Sequence, residues 1–562
     1  MKPKRPPPNR PPPVGKPSGP PIPSGKIQQE PTTPIPTKQE AANVQVPNKV
    51  DSGTPQTKEN ASDDNISDNE ESKDGNILGD VIKEKEDNDE ESEETLPYEP
   101  PPELLWDLCE QLQDSFLENL TGERQFIRKT DYILVRKLGT YVPSIELFLP
   151  LKKKAKSEIL EPNRMISGLE FEHFTIRSAV GKGVITIETP MTTDLNQAQQ
   201  YIDEALDTII ETGSSRQIRV LSYAAQPFSA FDAQMINPIY HLFSLYNAIG
   251  PAWASMAYIA RDRITLQVTK DEVLDFMYIG QILEPLFIAL FGHSPIVFGK
   301  DTYRHCGSQW LLDGMLKSTR ALRRFGIEPP RSKLDAGRIA MPEKPVLTWQ
   351  VLTEKYVKAH KLMHRDAEGW LEMFDGTFLD YLEKDGSNLP KHWKDHIHYS
   401  WGPVSINLEQ STITFQSADQ QPFDRRGCFS SLVVGILQKR TKILHFIMSN
   451  LPEASYRIPF GLRLHEIVQF QNEQIKDPWK PFGDWRIGAI EKGIHSEKIP
   501  LTGLLEGIIQ EATNGLIERG LGEEKLLAPI WNIFESKTTE ELRHIFYHQE
   551  KEDFLSHLEI VL

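Results

Sequence analysis

The first 50 residues carry 15 of the 42 prolines of this 562-residue chain, so the length overstates how much of it can fold. Residues 1–50 hold eight Lys or Arg and two acidic residues, whereas residues 51–96 hold 17 acidic residues and four Lys or Arg. Segments of this composition, with almost no aromatic residues, bury too little apolar surface to offset the entropy lost on folding. We therefore expect residues 1–96 to be a disordered tail, Pro-rich and then acidic, which leaves about 465 residues to fold.

Within the tail, the sequence RPPPNRPPP at 5–13 predicts a stiff polyproline II rod. Aromatic-lined grooves of other proteins bind such rods, so a protein partner for the tail is one interpretation. A spacer or tether is the plainer interpretation, because composition alone specifies no partner.

Charge and cysteine content exclude several classes of protein. The net charge is −17, of which −10 belongs to the residues after 96, and an acidic folded part argues against a nucleic-acid partner. Cys109, Cys306 and Cys428 are far apart, which excludes a disulfide scaffold and a Cys-based zinc site and fits a reducing compartment. The N-terminus lacks the apolar segment of a secretory signal, and polar residues interrupt the most apolar stretch, 276–298. These features predict a soluble cytoplasmic protein with no membrane partner.

The hydrophobic pattern divides the folded part into two regions. Apolar residues recur every three to four positions over 102–120, which predicts an amphipathic helix, and we assign residues 97–160 to an N-terminal helical extension. From 161 to 562 the period switches repeatedly between two and 3.6. We assign that second region to one larger domain.

In the larger domain, hairpins and long helices follow each other. Residues 169–177 and 183–189 alternate as the two strands of a hairpin, and Asp194 is placed to cap the helix that follows. Further predicted elements are strands at 217–225, 263–268 and 406–417, a helix at 240–248 and a long buried helix at 272–291. This order favours an α+β fold with a mainly antiparallel sheet and packed helices.

Three glutamates of the first hairpin are candidate metal ligands. Glu170 and Glu172 are two residues apart in a predicted strand, so both side chains are expected on one face, which Phe174 and Ile176 continue. A solvated face is not expected to continue into large apolar residues, so the pair predicts a cavity, and Glu188 of the second strand would lie beside it. Converging carboxylates repel each other, and a cation such as Mg²⁺ relieves that repulsion. Ordinary surface charge on a hairpin is the other interpretation.

A histidine cluster is a second candidate. The spacing of His392, His396 and His398 does not place all three rings on one face of a helix. We therefore expect structural or surface histidines there.

A series of short motifs runs along the larger domain in a recognisable order. They are GLEFE at 168–172, IETP at 187–190, HSP at 293–295, GKDT at 299–302, SADQQP at 417–422, DWR at 484–486, GLIERG at 515–520 and LAP at 527–529. This series resembles the glutamate–cysteine ligase and carboxylate–amine ligase family of plant and bacterial type. The resemblance covers about residues 160–545.

The resemblance implies a ligase-like catalytic domain with a curved antiparallel sheet, related to that of glutamine synthetase, whose concave face holds Mg²⁺, ATP and an acidic amino acid. In that family ATP phosphorylates a carboxylate, and an amine attacks the acyl phosphate to give an amide. The implied partners are therefore a small-molecule acid and an amine. Metal ions and arginines neutralise the anions that meet there.

By position, the resemblance gives roles to individual residues. Glu170, Glu172 and Glu188 match the metal-binding carboxylates of the family. Gln267 matches a polar contact to the nucleotide or metal, and a slip in the alignment would put Thr265 or Thr269 there instead.

The sequence also departs from the family. The family's Glu-x-Arg before its ADxQP turn is replaced by Thr414 and Gln416, which keep hydrogen-bonding capacity for the cofactor but lose both charges. Arg304 and Arg486 are the candidate catalytic arginines, and Arg304 fits only if its loop is shifted.

Two functions from different classes follow. The first is an ATP-dependent carboxylate–amine ligase that forms an amide through an acyl phosphate, with glutamate–cysteine ligase as the nearest activity. The second is a catalytically impaired protein of the same fold that binds a nucleotide or acts as a scaffold.

Overall fold

The computed structural model describes residues 100–561 with gaps at 162–163, most of 240–250, 303–304, 310, 312–347, most of 360–376, 385–388, 400–401, 403, 451–485, 488–498 and 536–537. All of the described residues belong to one compact unit, 74–562. The tail expected at 1–96 and most of the helix expected at 240–248 lie outside the described residues.

A single open sheet of nine antiparallel strands organises the described part of the chain. Its strands are β1 Phe126–Val135, β2 Ser157–Leu160, β3 Ile166–Glu170, β4 Thr175–Ser178, β5 Val184–Glu188, β6 Arg219–Leu221, β7 Arg261–Gln267, β12 Val404–Asn407 and β13 Thr412–Asp419. The order across the sheet is β12, β13, β7, β1, β5, β4, β3 and β2, with β6 paired to the end of β1. The predicted α+β fold with a mainly antiparallel sheet is confirmed.

Short strand pairs lie outside this sheet. They are β8 Ile296–Val297 with β9 Lys300–Asp301, β10 Met363–Arg365 with β11 Leu371–Met373, and β14 Arg486–Ile487 with β15 Ile499–Pro500.

Helices pack mainly against one face of the sheet and against each other. They are α1 Pro102–Asp114, α2 Ser144–Leu151, α3 Leu195–Ser214, α4 Lys270–Phe291, α5 Trp349–Lys358, α6 Phe378–Lys384, α7 Leu389–Tyr399, α8 Cys428–Gln438, α9 Arg440–Asn450, α10 Leu501–Arg519, α11 Glu524–Leu527, α12 Ile530–Glu535, α13 Thr538–His548 and α14 Lys551–Leu558. None of the helices in the described residues has the length and apolar character that a membrane crossing requires.

The covered face of the sheet carries the main core. Ile264 and Leu266 of β7 and Ile413 and Phe415 of β13 pack with the apolar residues of α4, α8 and α10 in one cluster of buried side chains. These strand residues alternate with polar ones, so the opposite face of the same strands is polar.

Residues 97–160 contain strands as well as helices. Only α1 and α2 are helices there, and β1 lies inside the sheet with β5 and β7 as neighbours. Phe126 to Thr130 pair with β7, and Lys129 to Ile133 pair with β5. The structure thus places β1, from within the predicted extension, in the same sheet as the strands that follow residue 160.

The strand predicted at 169–177 is two strands. Phe171 donates its backbone N–H to the carbonyl of Phe174 at 2.9 Å, so Glu172 and His173 form the turn between β3 and β4. The turn reverses the chain, and Phe174 and Ile176 pack into the core on the covered face. The prediction that they continue the face of Glu170 is wrong.

Other local predictions are confirmed. The Asp194 carboxylate accepts the backbone N–H of Asn196 at 2.8 Å and so caps α3. The helix expected at 272–291 is α4, which begins two residues earlier with a capping box between Thr269 and Glu272.

Candidate functional site

The side of the sheet opposite the main core has a set of polar side chains, which we call the polar face. It follows from strand register and alternation, since residues directly opposite each other on neighbouring strands point to the same side. Its members are Lys129, Asp131, Ser157, Glu170, Thr175, Arg177, Thr186, Glu188, Arg261, Arg263, Thr265, Gln267, Thr412, Thr414 and Asp419. Beyond them, Ile133 and Val184 pack with apolar residues of α13 and α14, which closes one end of the face.

The structure brings two of the three predicted metal carboxylates onto this face. Glu170 and Glu188 both lie opposite Thr175, one on each side of it, so they are two strands apart, about 10 Å along the sheet. Glu170 is exposed and accepts a hydrogen bond from the Ser157 hydroxyl at 2.6 Å. Glu172 is not part of the face, because it lies in the exposed turn, with Lys156 3.9 Å away.

Glu188 already has two cationic partners. Its Oε1 lies 3.1 Å from Lys129 Nζ on β1, and its Oε2 lies 3.6 Å from Arg177 Nε on β4. The carboxylate is 22 % exposed, so it sits at the surface of the face rather than in a closed cage. The two cations neutralise the charge that a metal ion would otherwise neutralise.

These carboxylates do not fit a shared Mg²⁺ ion as they are arranged. A Mg²⁺ ion requires oxygen ligands at about 2.0–2.1 Å, whereas Thr175 separates Glu170 from Glu188 and Glu172 lies off the face. Within the part of the chain that the structure describes, no group of three or more His, Cys, Asp and Glu side chains comes together around a possible metal ion. The metal role of these glutamates stays a prediction.

Asp131 organises the centre of the polar face. It is buried, and its carboxylate forms an ion pair with Arg263 and accepts the Thr186 hydroxyl at 2.6 Å and the backbone N–H of Arg261 at 3.1 Å. Arg263 Nε is buried and has no hydrogen-bond partner in the described residues. Sequence reasoning missed Asp131, Arg261 and Arg263, although the alternation of 261, 263, 265 and 267 along one strand was visible.

The predicted nucleotide contacts lie at the β7–β13 end of the polar face. The hydroxyls of Thr265 and Thr414 are 2.8 Å apart and hydrogen-bonded, and Gln267 follows Thr265 on the same side of β7. Gln416 lies at a bulge in β13, where its side-chain amide donates to the carbonyl of Gly402 at 2.7 Å and its backbone carbonyl accepts from Arg261 at 3.3 Å.

Arg304 and Arg486 are the two candidate catalytic arginines. Arg304 lies outside the described residues. Arg486 belongs to β14, whose backbone pairs with Pro500 of β15, outside the nine-stranded sheet. Their catalytic roles stay predictions.

The histidines expected to be structural are so. His396 is buried, and its Nε2 lies 2.7 Å from the carbonyl of Tyr356. His392 is buried against the hydroxyl of Tyr381, whereas His398 is exposed.

The covered face has its own buried charges directly behind the polar face. Arg128 is 1 % exposed, donates to Gln199 Oε1 at 2.6 Å and lies 3.6 Å from the carboxylate of Asp262. Burial raises the pKa of Asp262, and the charge of Arg128 acts against that increase. These two residues support β1 and β7 from the side opposite to the polar face.

Similarity of this chain to known proteins is found among solved structures of low sequence identity. No protein-family model and no curated protein sequence matches the chain. Similar solved structures include a glutamate–cysteine ligase from Francisella tularensis in complex with AMP, at a TM-score of 0.39 and 10 % identity over 79 % of this chain and 88 % of that one. A bifunctional glutathione synthetase from Pasteurella multocida has a TM-score of 0.39 and 13 % identity, over 80 % of this chain and 52 % of that one.

A third similar structure is a complex between the prokaryotic ubiquitin-like protein Pup and its ligase PafA, at a TM-score of 0.33 and 10 % identity over 78 % of this chain and 69 % of that one. This chain thus spans about half of the length of the Pasteurella protein. Similarity at this level assigns the chain neither to a family nor to an activity.

Proposed function

We propose that this protein binds a phosphate-bearing anion, such as a nucleotide, on the polar face of its sheet, and that it catalyses little or no ATP-dependent carboxylate–amine ligation. The observation that carries the proposal is the position of Glu188 between Lys129 and Arg177. A carboxylate that holds two cations is a poor ligand for a third, so this arrangement supports anion recognition more than metal catalysis.

The exposed cations of the polar face support an anionic ligand. By strand register the face has four cationic side chains, Lys129, Arg177, Arg261 and Arg263, and four carboxylates, Asp131, Glu170, Glu188 and Asp419, so its charges balance in a chain whose net charge is −17. Arg177 is 46 % exposed and Lys129 is 32 % exposed, so both reach solvent. A guanidinium has five N–H donors, and phosphate oxygens accept such donors in pairs.

Neutral hydrogen-bonding groups adjoin these cations. Thr265, Thr414 and Gln267 extend the face beyond Arg263, and hydroxyl and amide groups suit the ribose and base of a nucleotide better than charged groups do. This composition supports a nucleotide over a small inorganic anion.

Calorimetry with ATP tests the proposal. The double variant Lys129→Gln, Arg177→Gln should weaken ATP binding by about tenfold or more, equivalent to about 1.4 kcal/mol. The matched control is Arg136→Gln, because Arg136 forms a similarly exposed ion pair with Glu146 near the end of β1, and it should bind ATP as the wild type does. Equal ATP affinity in the double variant and the wild type would exclude the polar face as the binding site.

Ligase activity is the second candidate function. The presence of Glu170 and Glu188 on the same face as arginines favours it, since family chemistry needs carboxylates for Mg²⁺ beside cations for phosphate. An ADP-release assay with Mg²⁺ and pooled amino acids and amines decides between the two. We expect little ADP release, and robust turnover with glutamate and cysteine would establish the ligase instead.

The remaining proposals concern the surroundings of the protein. Three free, buried cysteines support a reducing, cytoplasmic compartment. The Pro-rich segment at 5–13 is proposed as a tether, with a groove-bearing protein as its alternative partner.

A further inference from the structure

Two histidines lie one turn apart on helix α13. His544 and His548 have the i, i+4 spacing that brings side chains together on one helix face. Their ring centroids are 4.6 Å apart, with an angle of 47° between the rings. Both residues are exposed, and within the described residues neither ring forms a hydrogen bond or an ion pair. Both rings are therefore open to a ligand from solvent.

The helix that carries the pair is held firmly in place. Leu542 is fully buried in the cluster that closes one end of the polar face. Arg543 Nε lies 3.0 Å from the carboxylate of Asp301 on β9, and the Tyr547 hydroxyl lies 3.3 Å from the same carboxylate. These contacts hold the backbone of α13 in place, so a ligand would meet His544 and His548 at fixed positions.

Two neighbouring imidazoles on a fixed helix are a chelating unit. Neutral imidazole is a preferred ligand of Zn²⁺, Ni²⁺ and Cu²⁺, and it binds at about 2.0–2.1 Å in the case of Zn²⁺. Rings already 4.6 Å apart can direct one nitrogen each to a common ion by side-chain rotation alone. The exposed carboxylate of Glu541, one turn earlier, adds negative charge on the same side of the helix.

We propose that His544 and His548 bind one divalent late transition-metal ion, Zn²⁺, Ni²⁺ or Cu²⁺, with water molecules completing its coordination. The site is separate from the Mg²⁺ site that the family resemblance implies, and it uses borderline nitrogen ligands in place of carboxylates. Of these ions, Cu²⁺ should bind most tightly, following the general order of stability for nitrogen ligands. The proposal does not depend on the anion-binding function of the polar face.

Calorimetry of the full-length chain with CuCl₂ and with ZnCl₂, in a buffer that does not chelate metals, tests the site. Replacing either histidine, as His544→Gln or as His548→Gln, should weaken the site by about tenfold or more, because one of two protein ligands is lost. The control is His398→Gln, which removes one exposed histidine from α7 and should leave the site unchanged. Both substitutions on α13 are at the surface, and near-UV circular dichroism should show that the fold is retained.

A spectroscopic measurement identifies the ligands directly. Electron paramagnetic resonance of the Cu²⁺-loaded wild type should show coupling to two imidazole nitrogens, and His548→Gln should reduce that to one. Unchanged metal affinity and unchanged coupling in both α13 variants would overturn the proposal. A metal-dependent dimer with one ion for two chains would also overturn it, because the ion would then be shared between copies.

Discussion

Glu188 of β5 and Lys129 of β1 lie directly opposite each other across two neighbouring strands, with Lys129 Nζ 3.1 Å from Glu188 Oε1. Arg177 approaches the other carboxylate oxygen from the strand on the far side. All three side chains are partly exposed, so each ion pair contributes about 1 kcal/mol or less to stability. Because these pairs are weak, a phosphate group can compete for the two cations without a large cost to the fold.

The first prediction follows from this arrangement. Glu188→Gln removes the internal competitor for Lys129 and Arg177, so it should tighten ATP binding measured without Mg²⁺, by about threefold to tenfold. If Glu188 were instead a ligand of a Mg²⁺–nucleotide complex, the same variant would bind ATP more weakly in the presence of Mg²⁺. Calorimetry of wild type and variant, each with and without Mg²⁺, distinguishes these two roles of Glu188 by whether the affinity for ATP increases or decreases.

The second prediction concerns Glu172, which lies in the exposed β3–β4 turn. Glu172→Gln should leave the affinity for ATP unchanged and the free energy of unfolding within about 0.5 kcal/mol of the wild type, as is usual for an exposed position. Urea denaturation and calorimetry provide the two measurements. A tenfold loss of affinity for Mg²⁺–ATP would restore Glu172 to the metal site that the family resemblance implies.

The sequence predicted the fold class because most strands and helices have a regular hydrophobic period. β7 alternates cleanly between Ile264 and Leu266 on one side and polar residues on the other, and it was predicted nearly to its ends. The long helix α4 was predicted for the same reason.

β1 was missed because its pattern is hidden by charge. Its covered face includes Arg128 and Thr130, so all four residues over 128–131 are polar and no apolar period is visible there. Tertiary partners explain why those residues are buried: Gln199 and Asp262 contact Arg128, and Gln420 accepts the Thr130 hydroxyl. With β1 missed, the central Asp131 of the polar face could not be predicted.

The prediction that Glu172 lies in a strand was wrong for a different reason. The turn after β3 is Glu172–His173, without the Gly, Asn or Asp that usually indicates a two-residue turn. A reader of the sequence therefore extends one strand through it, and the turn then reverses the assignment of every later side chain.

A third prediction tests the buried support of the sheet. Arg128→Ala leaves the carboxylate of Asp262 buried without its cationic partner, and breaking a buried pair in this way costs about 3–5 kcal/mol. Arg136→Ala is the control, because Arg136 is exposed and directly follows β1, the strand that carries Arg128. This replacement should change the free energy of unfolding by no more than about 0.5 kcal/mol. Urea denaturation gives both values, and equal effects of the two changes would show that Arg128 has no special role.

The last prediction uses pH to compare two buried carboxylates whose pKa values shift in opposite directions. Burial raises the pKa of Asp262 above its ordinary value of 3.8. Burial also acts to raise the pKa of Glu272, but hydrogen bonding and the charge of Arg124, 2.6 Å away, outweigh it, so that pKa lies below its ordinary value of 4.5.

The two shifts have opposite consequences for stability. The native state holds the Asp262 proton more tightly than the unfolded chain does. The contribution of Asp262 to the free energy of unfolding is therefore complete below its ordinary pKa and is lost as the pH rises through its pKa in the folded state. Glu272 has the opposite effect on stability. Its contribution to the free energy of unfolding is present above its ordinary pKa and is lost as the pH falls through its pKa in the folded state. Urea denaturation of the wild type, Asp262→Asn and Glu272→Gln across the acidic range measures both. The stability of the wild type relative to Asp262→Asn should decrease as the pH rises, whereas its stability relative to Glu272→Gln should increase. If both differences changed with pH in the same direction, the two carboxylates would not have opposed environments.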